Sequence, residues 1–391
     1  MEPDSELIDA ARARTGLDDF GGGEFREGLE ILVRDLRTTA RLNAAGESYL
    51  RKKIVGLLAQ RLQVEDWYRR HPEIADEPVT RPLFGLGLPR TGSTALSFLL
   101  AADPRARYLR LWEGDQPCPP PSAVDGAGAG PPDTRIADAQ AEHDARAQAS
   151  PRHDRLVPNS PEGPVECLGL LALDFKSNLF NAFAYVPDYT RWLLYDADLT
   201  SAYAYEKRVL KLLQWGYPAR PWRLKAPTHL MYLEPLLAAF PDARFVMTHR
   251  DPAEVMVSVA DLFADIQARF NEHVDLRYLG ATNVEQWAVG IRRGLAFRDD
   301  GHDHLFYDIG FRSMQTDPVG QVRGLYDWLG EPVTPEFEAG MRAWWQANSQ
   351  AREKVTHPDP AALGIDPAAI RPLFADYTAR SQQWASTSPA A

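Results

Sequence analysis

Two segments of the chain carry residues that could bind phosphate. The first, residues 87–94, reads Gly-Leu-Pro-Arg-Thr-Gly-Ser-Thr and lies between an apolar run and a stretch with helical spacing. Backbone N–H groups at the start of a helix point toward a bound anion, and the helix dipole favours negative charge there. The hydroxyls and the guanidinium of the segment would add hydrogen bonds. The sequence therefore predicts a phosphate loop that includes Arg90, Thr91, Gly92, Ser93 and Thr94.

The same segment departs from the loop that binds nucleotide triphosphates. Ser93 stands where that motif has its lysine, and the cation is Arg90, inside the loop. The next strand of the sheet ends in residues 248–250, Thr-His-Arg, whereas magnesium-dependent phosphoryl transfer needs a carboxylate there. A divergent P-loop kinase is therefore the disfavoured alternative, and we expect no metal in the site.

The second segment carries an arginine and a serine at another junction of strand and helix. Arg250 ends a predicted strand, and Ser258 follows eight residues later, which is about two helical turns. This spacing can bring both side chains to one side of the start of the helix, where they would suit a second phosphate. A purely structural interpretation has Asp251 cap the helix and Arg250 form an ion pair. The two segments together are much more specific than either one alone.

These segments resemble the sulfotransferases that use 3′-phosphoadenosine 5′-phosphosulfate (PAPS), especially a bacterial branch with an N-terminal helical extension. A third segment, residues 224–230, reads Leu-Lys-Ala-Pro-Thr-His-Leu and is similar to the one that carries the catalytic histidine of the cytosolic enzymes. The resemblance covers residues 10–380. It implies that the phosphate loop binds the 5′-phosphosulfate and that Arg250 and Ser258 bind the 3′-phosphate.

The resemblance also implies roles in catalysis. Sulfuryl transfer needs an acceptor oxygen in line with sulfur, a base, and positive charge on the departing phosphate. His229 is the first candidate for the base, because an unperturbed imidazole is neutral and basic near pH 7. Glu113, which follows Arg90 by 23 residues, is the second, since related tyrosine and trehalose sulfotransferases use a glutamate there. Arg90 would stabilise the leaving phosphate. Lys225 would contact the transferred group or, in the alternative, only extend its ammonium group from a buried strand end toward solvent.

Some features of the family have no clear counterpart. The chain has no obvious copy of the Arg-Lys-Gly segment that closes over the 3′-phosphate. Arg352, Lys354 and His357 could replace it, although a solvated turn is the simpler interpretation. Glu162 and Glu166 receive no role. A module that binds the nucleotide without activity is the remaining alternative.

The elements that position these residues follow from the apolar pattern. Strands predicted at 222–225, 244–248 and 304–307 alternate with helices, which is typical of a parallel sheet. We predict an α/β fold with three layers. Residues 1–80 would form an N-terminal helical extension, with two amphipathic helices between 25 and 62. Residues 81–391 would form the sulfotransferase domain.

A large insertion is predicted within that domain, over residues 115–220. Its first part, residues 117–133, is dense in Pro and Gly and is predicted to hold no helix. Its later part, residues 175–215, is helical in pattern and rich in aromatic residues. Such flat apolar side chains suit a pocket for an aromatic, lipid or steroid-like alcohol, although most are expected to pack in the core.

Composition excludes several classes of protein. With 45% hydrophobic and 25% charged residues among 391, the chain is not disordered, and its net charge of −11 disfavours nucleic acid as a partner. Two cysteines, Cys118 and Cys167, are too few for a disulfide framework or a zinc site built from thiolates, which favours the cytoplasm. No apolar run is long enough to span a membrane. We expect a small-molecule acceptor, either such an alcohol or a sugar, and the oligomeric state is open.

Overall fold

The computed structural model describes residues 1–125, 133–156, 159–351 and 356–387, and these contain one five-stranded sheet. The strands are β1 Leu83–Gly87, β2 Arg107–Tyr108, β3 Trp222–Lys225, β4 Arg244–His249 and β5 Phe306–Gly310. All pairs are parallel, in the order β2-β3-β1-β4-β5. The predicted α/β fold with a parallel sheet is confirmed. The short edge strand β2 is not among the predicted strands.

The central strand β1 places the phosphate loop. It pairs with β4 from Leu83 opposite Arg244 to Gly87 opposite Thr248. Carboxyl ends of parallel strands meet at one edge of the sheet, so the segments that follow β1 and β4 emerge side by side.

Both faces of the sheet are covered, which gives the three predicted layers. Phe84 and Phe245 belong to one apolar core, and their chain neighbours Leu83 and Val246 belong to another. Because successive side chains of a strand point to opposite faces, the two cores lie on opposite sides of the sheet. The first core contains the N-terminal helices, much of the insertion and apolar residues between 363 and 377, and the second contains apolar residues from 96–100, 319–329 and 337–341.

The N-terminal helices are α1 Asp4–Thr15, α2 Phe25–Thr38 and α3 Ala44–Arg70, followed by a 3₁₀ helix at Pro72–Asp76. The two amphipathic helices predicted between 25 and 62 are confirmed as α2 and α3. The sequence prediction did not include α1, because its apolar residues Leu7, Ile8 and Ala11 make too short a pattern.

A glycine lets α3 pack directly on the main chain of a later helix. A Cβ built on Gly46 would lie 2.0 Å from the carbonyl oxygen of Phe270. Asn43 caps α3 by accepting from the N–H of Gly46 at 2.8 Å, and its own N–H donates to Phe270 O at 3.0 Å. The start of α3 is thus fixed to the polypeptide backbone at residue 270.

The remaining helices before β3 are α4 Ser93–Ala101, α5 Leu111–Asp115, α6 Pro121–Asp125, α7 Arg135–Ala149, α8 Pro151–Leu156, α9 Leu168–Ala172, α10 Leu179–Phe183, α11 Pro187–Tyr195 and α12 Thr200–Gln214. The prediction that 117–133 holds no helix is wrong at α6, because Pro121 stands in the first turn, where proline is tolerated. Residues 126–132 of that segment lie outside the described chain.

After β3 the helices are α13 Leu233–Ala239, α14 Pro252–Phe270, α15 Leu276–Phe297, α16 Phe311–Thr316, α17 Pro318–Leu329, α18 Pro335–Ala351, α19 Pro367–Ile370 and α20 Ala375–Thr387. The predicted strand at 304–307 is displaced, since β5 is Phe306–Gly310 and Asp303–Leu305 forms a 3₁₀ turn. Pairing with β4 fixes this register. No helix among the described residues is long and apolar enough to cross a membrane.

Candidate active site

The phosphate loop leaves β1 and enters the first turn of α4. Gly92 has a φ of 91°, a conformation that L side chains rarely adopt, and it directly precedes α4. Arg90 also has a positive φ, of 60°, so the backbone turns tightly at two points. Ser93 and Thr94 consequently lie in the first helical turn, where backbone N–H groups are available to an anion.

Thr91 fixes the loop against β4. Its hydroxyl lies 2.8 Å from the carbonyl oxygen of Leu88 and 2.5 Å from the hydroxyl of Thr248. Thr91 is fully buried. The side chain predicted as a ligand contact is therefore engaged within the protein, where it holds the shape of the loop.

Arg90 joins the two predicted phosphate elements. Its Nε donates to Oγ of Ser258 at 3.1 Å, and Nη1 of Arg250 donates to the carbonyl oxygen of Arg90 at 3.0 Å. Arg250 also forms an ion pair with Glu254 at 2.9 Å and lies over the ring of Phe311. The structure thus brings together Arg90, Ser258 and Arg250, which the sequence places on two separate segments.

Positive charge is concentrated at this edge of the sheet. Burial lowers the pKa of Arg90, and the charge of Arg250 lowers it further, while Glu166 and Asp261 oppose the shift. Both guanidinium groups stay protonated at neutral pH, so they repel each other across a partly buried site. An anion bound between them would relieve that repulsion.

Lys225 and Glu166 form an ion pair next to the loop. Nζ of Lys225, at the end of β3, lies 2.6 Å from Oε1 of Glu166. The N–H of Cys167 donates to the carbonyl oxygen of Lys225 at 3.0 Å, which holds the preceding glutamate against the strand end. The Glu166 side chain is 32% exposed, so solvent reaches this member of the pair. Local sequence gives no sign of this pair, because its members are 59 residues apart.

Glu113 lies in the interior rather than in an open site. Its Oε1 accepts from Arg107 and from Arg110, each at 2.8 Å, and its Oε2 accepts from the N–H of Arg110 at 3.2 Å. The side chain is fully buried. Both carboxylate oxygens already have hydrogen-bond partners within the protein. Glu113 therefore stabilises the turn between β2 and α5.

His229 is enclosed by protein on all sides. It lies in the 3₁₀ helix Pro227–Met231, fully buried, with the hydroxyl of Tyr203 3.0 Å from Nδ1. Within the described residues, Nε2 has no hydrogen-bond partner. Burial lowers the pKa of His229 to about 3, and the charge of Lys225 contributes. The imidazole is therefore neutral at pH 7 but a poor proton acceptor, and its role as the base stays a prediction.

Asp261 links two segments near the predicted 3′-phosphate residues. It lies one helical turn after the predicted serine on α14, and it accepts two hydrogen bonds from Arg152 at 2.9 and 2.7 Å. Nδ1 of His357 lies 2.7 Å from the same carboxylate. His357 is thus near the site but already paired. Arg352 and Lys354, the other predicted substitutes for the closing segment, lie outside the described residues.

His249, at the end of β4, contacts the neighbouring strand rather than the phosphate-binding residues. Its Nε2 lies 2.8 Å from Oδ1 of Asp308 on β5, and Asp308 also accepts from Arg298 at 2.9 and 2.7 Å. This buried arrangement holds together the two strands that lead to Arg250.

Most aromatic residues of the predicted acceptor pocket pack in the core. Side chains that are at most 1% exposed include Phe175, Phe180, Tyr189 and Tyr203. Tyr195 is 47% exposed and donates to Glu285 at 2.6 Å, on the surface. The position of the acceptor pocket stays a prediction.

Comparison with known proteins identifies the reaction class. The chain matches the model of a sulfotransferase family over residues 82–335. It is similar in structure to the sulfotransferase STF9 from Mycobacterium avium, with a TM-score of 0.88 and 32% identity over 97% of each chain. For the sulfotransferase STF1 from Mycobacterium tuberculosis the TM-score is 0.83 and the identity 28%, covering 95% of this chain and 98% of that one. None of the curated proteins matches. The match to the family model and the similarity to STF9 show that this chain belongs to the sulfotransferase family.

Proposed function

We propose that the chain transfers the sulfuryl group of PAPS to a hydroxyl group of a small-molecule acceptor. The observation that carries this proposal is the contact of the two phosphate elements, in which Arg90 reaches Ser258 at 3.1 Å and Arg250 reaches the backbone of Arg90 at 3.0 Å. PAPS carries phosphate groups on both its 3′ and its 5′ oxygens. A ligand with two such groups matches two adjacent cationic elements.

The donor would lie across these elements. The N–H groups of the phosphate loop and the Arg90 guanidinium bind the 5′-phosphosulfate, and Arg250 and Ser258 bind the 3′-phosphate. Arg90 exchanges its hydrogen bond to Ser258 for one to the ligand. Arg90 and Lys225 then supply the positive charge that magnesium supplies in kinases.

We assign the base to Glu166. Its carboxylate is the accessible one beside Lys225, and it is close enough to Arg90 to influence the pKa of that guanidinium. Glu166 accepts the proton of the acceptor hydroxyl while the acceptor oxygen bonds to sulfur. The bond between sulfur and the bridging phosphate oxygen breaks, and the 5′-phosphate leaves with the electron pair. His229 and Glu113, the bases proposed from the sequence, are the alternatives; both are fully buried.

Calorimetric titration with 3′-phosphoadenosine 5′-phosphate, beside AMP and beside ADP with magnesium, tests the donor site. Two charge-assisted hydrogen bonds at about 1.5–3 kcal/mol each predict a preference of ~100-fold or more for the 3′-phosphorylated ligand over AMP. Preference for ADP with magnesium would overturn the proposal in favour of phosphoryl transfer.

Turnover separates an enzyme from a silent nucleotide-binding module. PAPS is supplied with phenolic, steroid-like, lipid and sugar alcohols, and release of 3′-phosphoadenosine 5′-phosphate is measured. Acceptor-dependent release is expected for at least one class. Tight donor binding without release on any of them would favour the silent module. We place the reaction in the cytoplasm, since both cysteines are free and buried, as suits a reducing compartment.

A further inference from the structure

A buried cluster of three metal-ligating side chains lies behind the Glu166–Lys225 pair. The Cys167 Sγ, a carboxylate oxygen of Glu206 and a ring nitrogen of His229 lie within 4.8 Å of one another, and all three residues are buried. They come from three separate parts of the chain: the segment before α9, the middle of α12, and the 3₁₀ helix after β3. Nothing in the proposed sulfuryl transfer uses Cys167 or Glu206.

The ligand atoms of this cluster lack ordinary hydrogen-bond partners. Among the described residues, neither oxygen of Glu206 nor Nε2 of His229 has one, although all three atoms are inaccessible to solvent. The thiol of Cys167 lies against the Glu206 carboxylate. Leaving a buried polar atom unpaired costs about 1–3 kcal/mol, and more for a charged group. Nε2 of His229 and the Glu206 carboxylate, whose neighbour is the weakly donating Cys167 thiol, therefore point to a missing partner.

A hydrogen bond at Nδ1 of His229 orients the other ring nitrogen, Nε2, as a metal ligand needs. Tyr203 and Glu206 lie three residues apart on α12, so both reach the same imidazole. The Tyr203 hydroxyl, 3.0 Å from Nδ1, can accept a hydrogen bond from Nδ1–H, which leaves the lone pair of Nε2 directed at the cluster. Ligating histidines usually have such a partner on the other ring nitrogen.

We propose that Cys167, Glu206 and His229 bind a zinc ion. One thiolate, one imidazole and one carboxylate are a ligand set that zinc accepts, and the two negative charges neutralise the ion inside an apolar core. Tetrahedral zinc with bonds of about 2.0–2.3 Å holds its ligand atoms roughly 3.3–3.8 Å apart, so modest side-chain movement closes the cluster. The second oxygen of Glu206 or a water fills the fourth position. Binding releases the protons carried by the thiol and by the carboxyl group.

The ion would have a structural role in positioning the active site. It ties α12 and the segment after β3 to Cys167, whose neighbour Glu166 is the proposed base. Metal binding does not depend on that assignment, because the ligands and the readout differ from those of sulfuryl transfer. A chain that fails every acceptor assay would still be expected to hold zinc.

Metal content is the test. The untagged full-length protein is purified without chelator, and zinc is measured by inductively coupled plasma mass spectrometry. About one ion per chain is expected, as for a closed structural site. The chelated protein is then titrated with Co²⁺, and a thiolate-to-cobalt charge-transfer band is expected. Wild-type protein that contains no zinc and gives no such band would overturn the proposal.

Matched variants locate the ion. Cys167→Ser and Glu206→Gln are each expected to weaken binding of zinc by ~100-fold or more, and Tyr203→Phe by ~10–100-fold. Cys118→Ser, the control, replaces the other buried free cysteine and should keep both the metal and the cobalt band. Circular dichroism confirms that each variant is folded. Zinc that persists in folded Cys167→Ser, or a cobalt band lost in Cys118→Ser, would place the ion elsewhere.

Discussion

Nε of Arg90 lies 3.1 Å from Oγ of Ser258, so a side chain of the phosphate loop and one of α14, 168 residues apart in sequence, meet within one site. Arg90 therefore spans from the 5′ element to the 3′ element of the proposed donor site. In this arrangement the donor must compete with an internal hydrogen bond. Ser258→Ala removes that bond as well as the proposed contact with the 3′-phosphate, so the variant changes both the free energy of the unliganded site and the free energy of binding.

Arg250 offers a cleaner test of the 3′-phosphate assignment. Arg250→Ala is expected to reduce the preference for 3′-phosphoadenosine 5′-phosphate over AMP by ~10-fold or more, because a charged hydrogen bond contributes about 1.5–3 kcal/mol. Calorimetry with both ligands measures it. Glu254→Gln is the matched control, since it removes the ion pair with Arg250 but keeps the guanidinium. An unchanged preference in Arg250→Ala would show that the 3′-phosphate binds elsewhere.

Three variants decide between the candidate bases. Glu166→Gln is expected to lower turnover by ~100-fold or more with donor affinity within a few fold of wild type, since general base catalysis contributes 10²–10⁴. Glu113→Gln should chiefly lower stability, because it breaks contacts with Arg107 and Arg110. Turnover with a radiolabelled donor is measured beside calorimetry. Near-normal turnover in Glu166→Gln, with His229→Gln folded, unchanged in zinc content and inactive, would return the role to His229.

The lowered pKa of Asp308 predicts that the folded protein loses stability in acid. Burial raises its pKa, but hydrogen bonds from Arg298 and His249 outweigh this and hold the pKa of Asp308 below its ordinary value. The unfolded carboxyl group therefore binds its proton at higher pH than the folded one. Its contribution to stability is complete above the ordinary pKa of about 3.9 and is lost as the pH falls through the lower folded value.

Urea unfolding at pH 7 and at about pH 3.5 measures this contribution against the ordinary carboxyl pKa. Wild type should lose more free energy of unfolding between these pH values than Asp308→Asn, which cannot titrate at this position. Asp9→Asn is the control, because its ion pair with Arg12 is exposed. An equal loss in wild type and Asp308→Asn would contradict the assignment.

Arg61 anchors the N-terminal helices to the insertion. Its guanidinium pairs with Asp174 at 3.0 Å and lies 4.6 and 4.1 Å from the ring centres of Phe25 and Tyr205. Arg61→Met should lower the free energy of unfolding by about 1.5–3 kcal/mol, since it removes a charged hydrogen bond to the buried carboxylate of Asp174, which keeps its ion pair with Lys176. Urea unfolding of Arg12→Met, which breaks an exposed pair, should differ from wild type by about 1 kcal/mol or less. Similar effects in both variants would argue against an anchor at Arg61.

Two glycines of α3 should respond oppositely to the same substitution. Gly46→Ala places a methyl group 2.0 Å from Phe270 O, so we expect a loss of about 1–3 kcal/mol. A Cβ on Gly56 meets nothing within 4 Å, and Gly56→Ala should stabilise the helix by about 0.5–1 kcal/mol. Thermal unfolding of both variants measures the difference. A shift of the same sign in both would mean that α3 does not pack on residue 270 as described.

Local features of the sequence predict much of the fold. Asp317 caps α17 through the N–H of Gly320 at 2.9 Å, and Gly330 ends that helix with a φ of 71°, as expected from the residue types. The phosphate loop is equally local, since its glycines and its position after an apolar strand are all within one short segment.

Pairings between distant segments could not be predicted. The sequence marks Glu113 as a candidate base, yet packing encloses it between two arginines. Glu166 becomes a candidate base only through its contact with Lys225, which the structure shows. His229 likewise is buried because α12 packs against it, and no local pattern in the sequence predicts that contact.

The packing of α3 on α14 affects how the chain folds during synthesis. Asn43 donates to the carbonyl oxygen of Arg269, 226 residues further along the chain. The N-terminal helices leave the ribosome first, but these backbone partners do not exist until most of the protein has been made. Contacts this distant in sequence slow folding and leave apolar faces uncovered in the meantime. Until residue 270 has been made, the start of α3 therefore lacks its backbone partners and offers a surface to which a chaperone can bind.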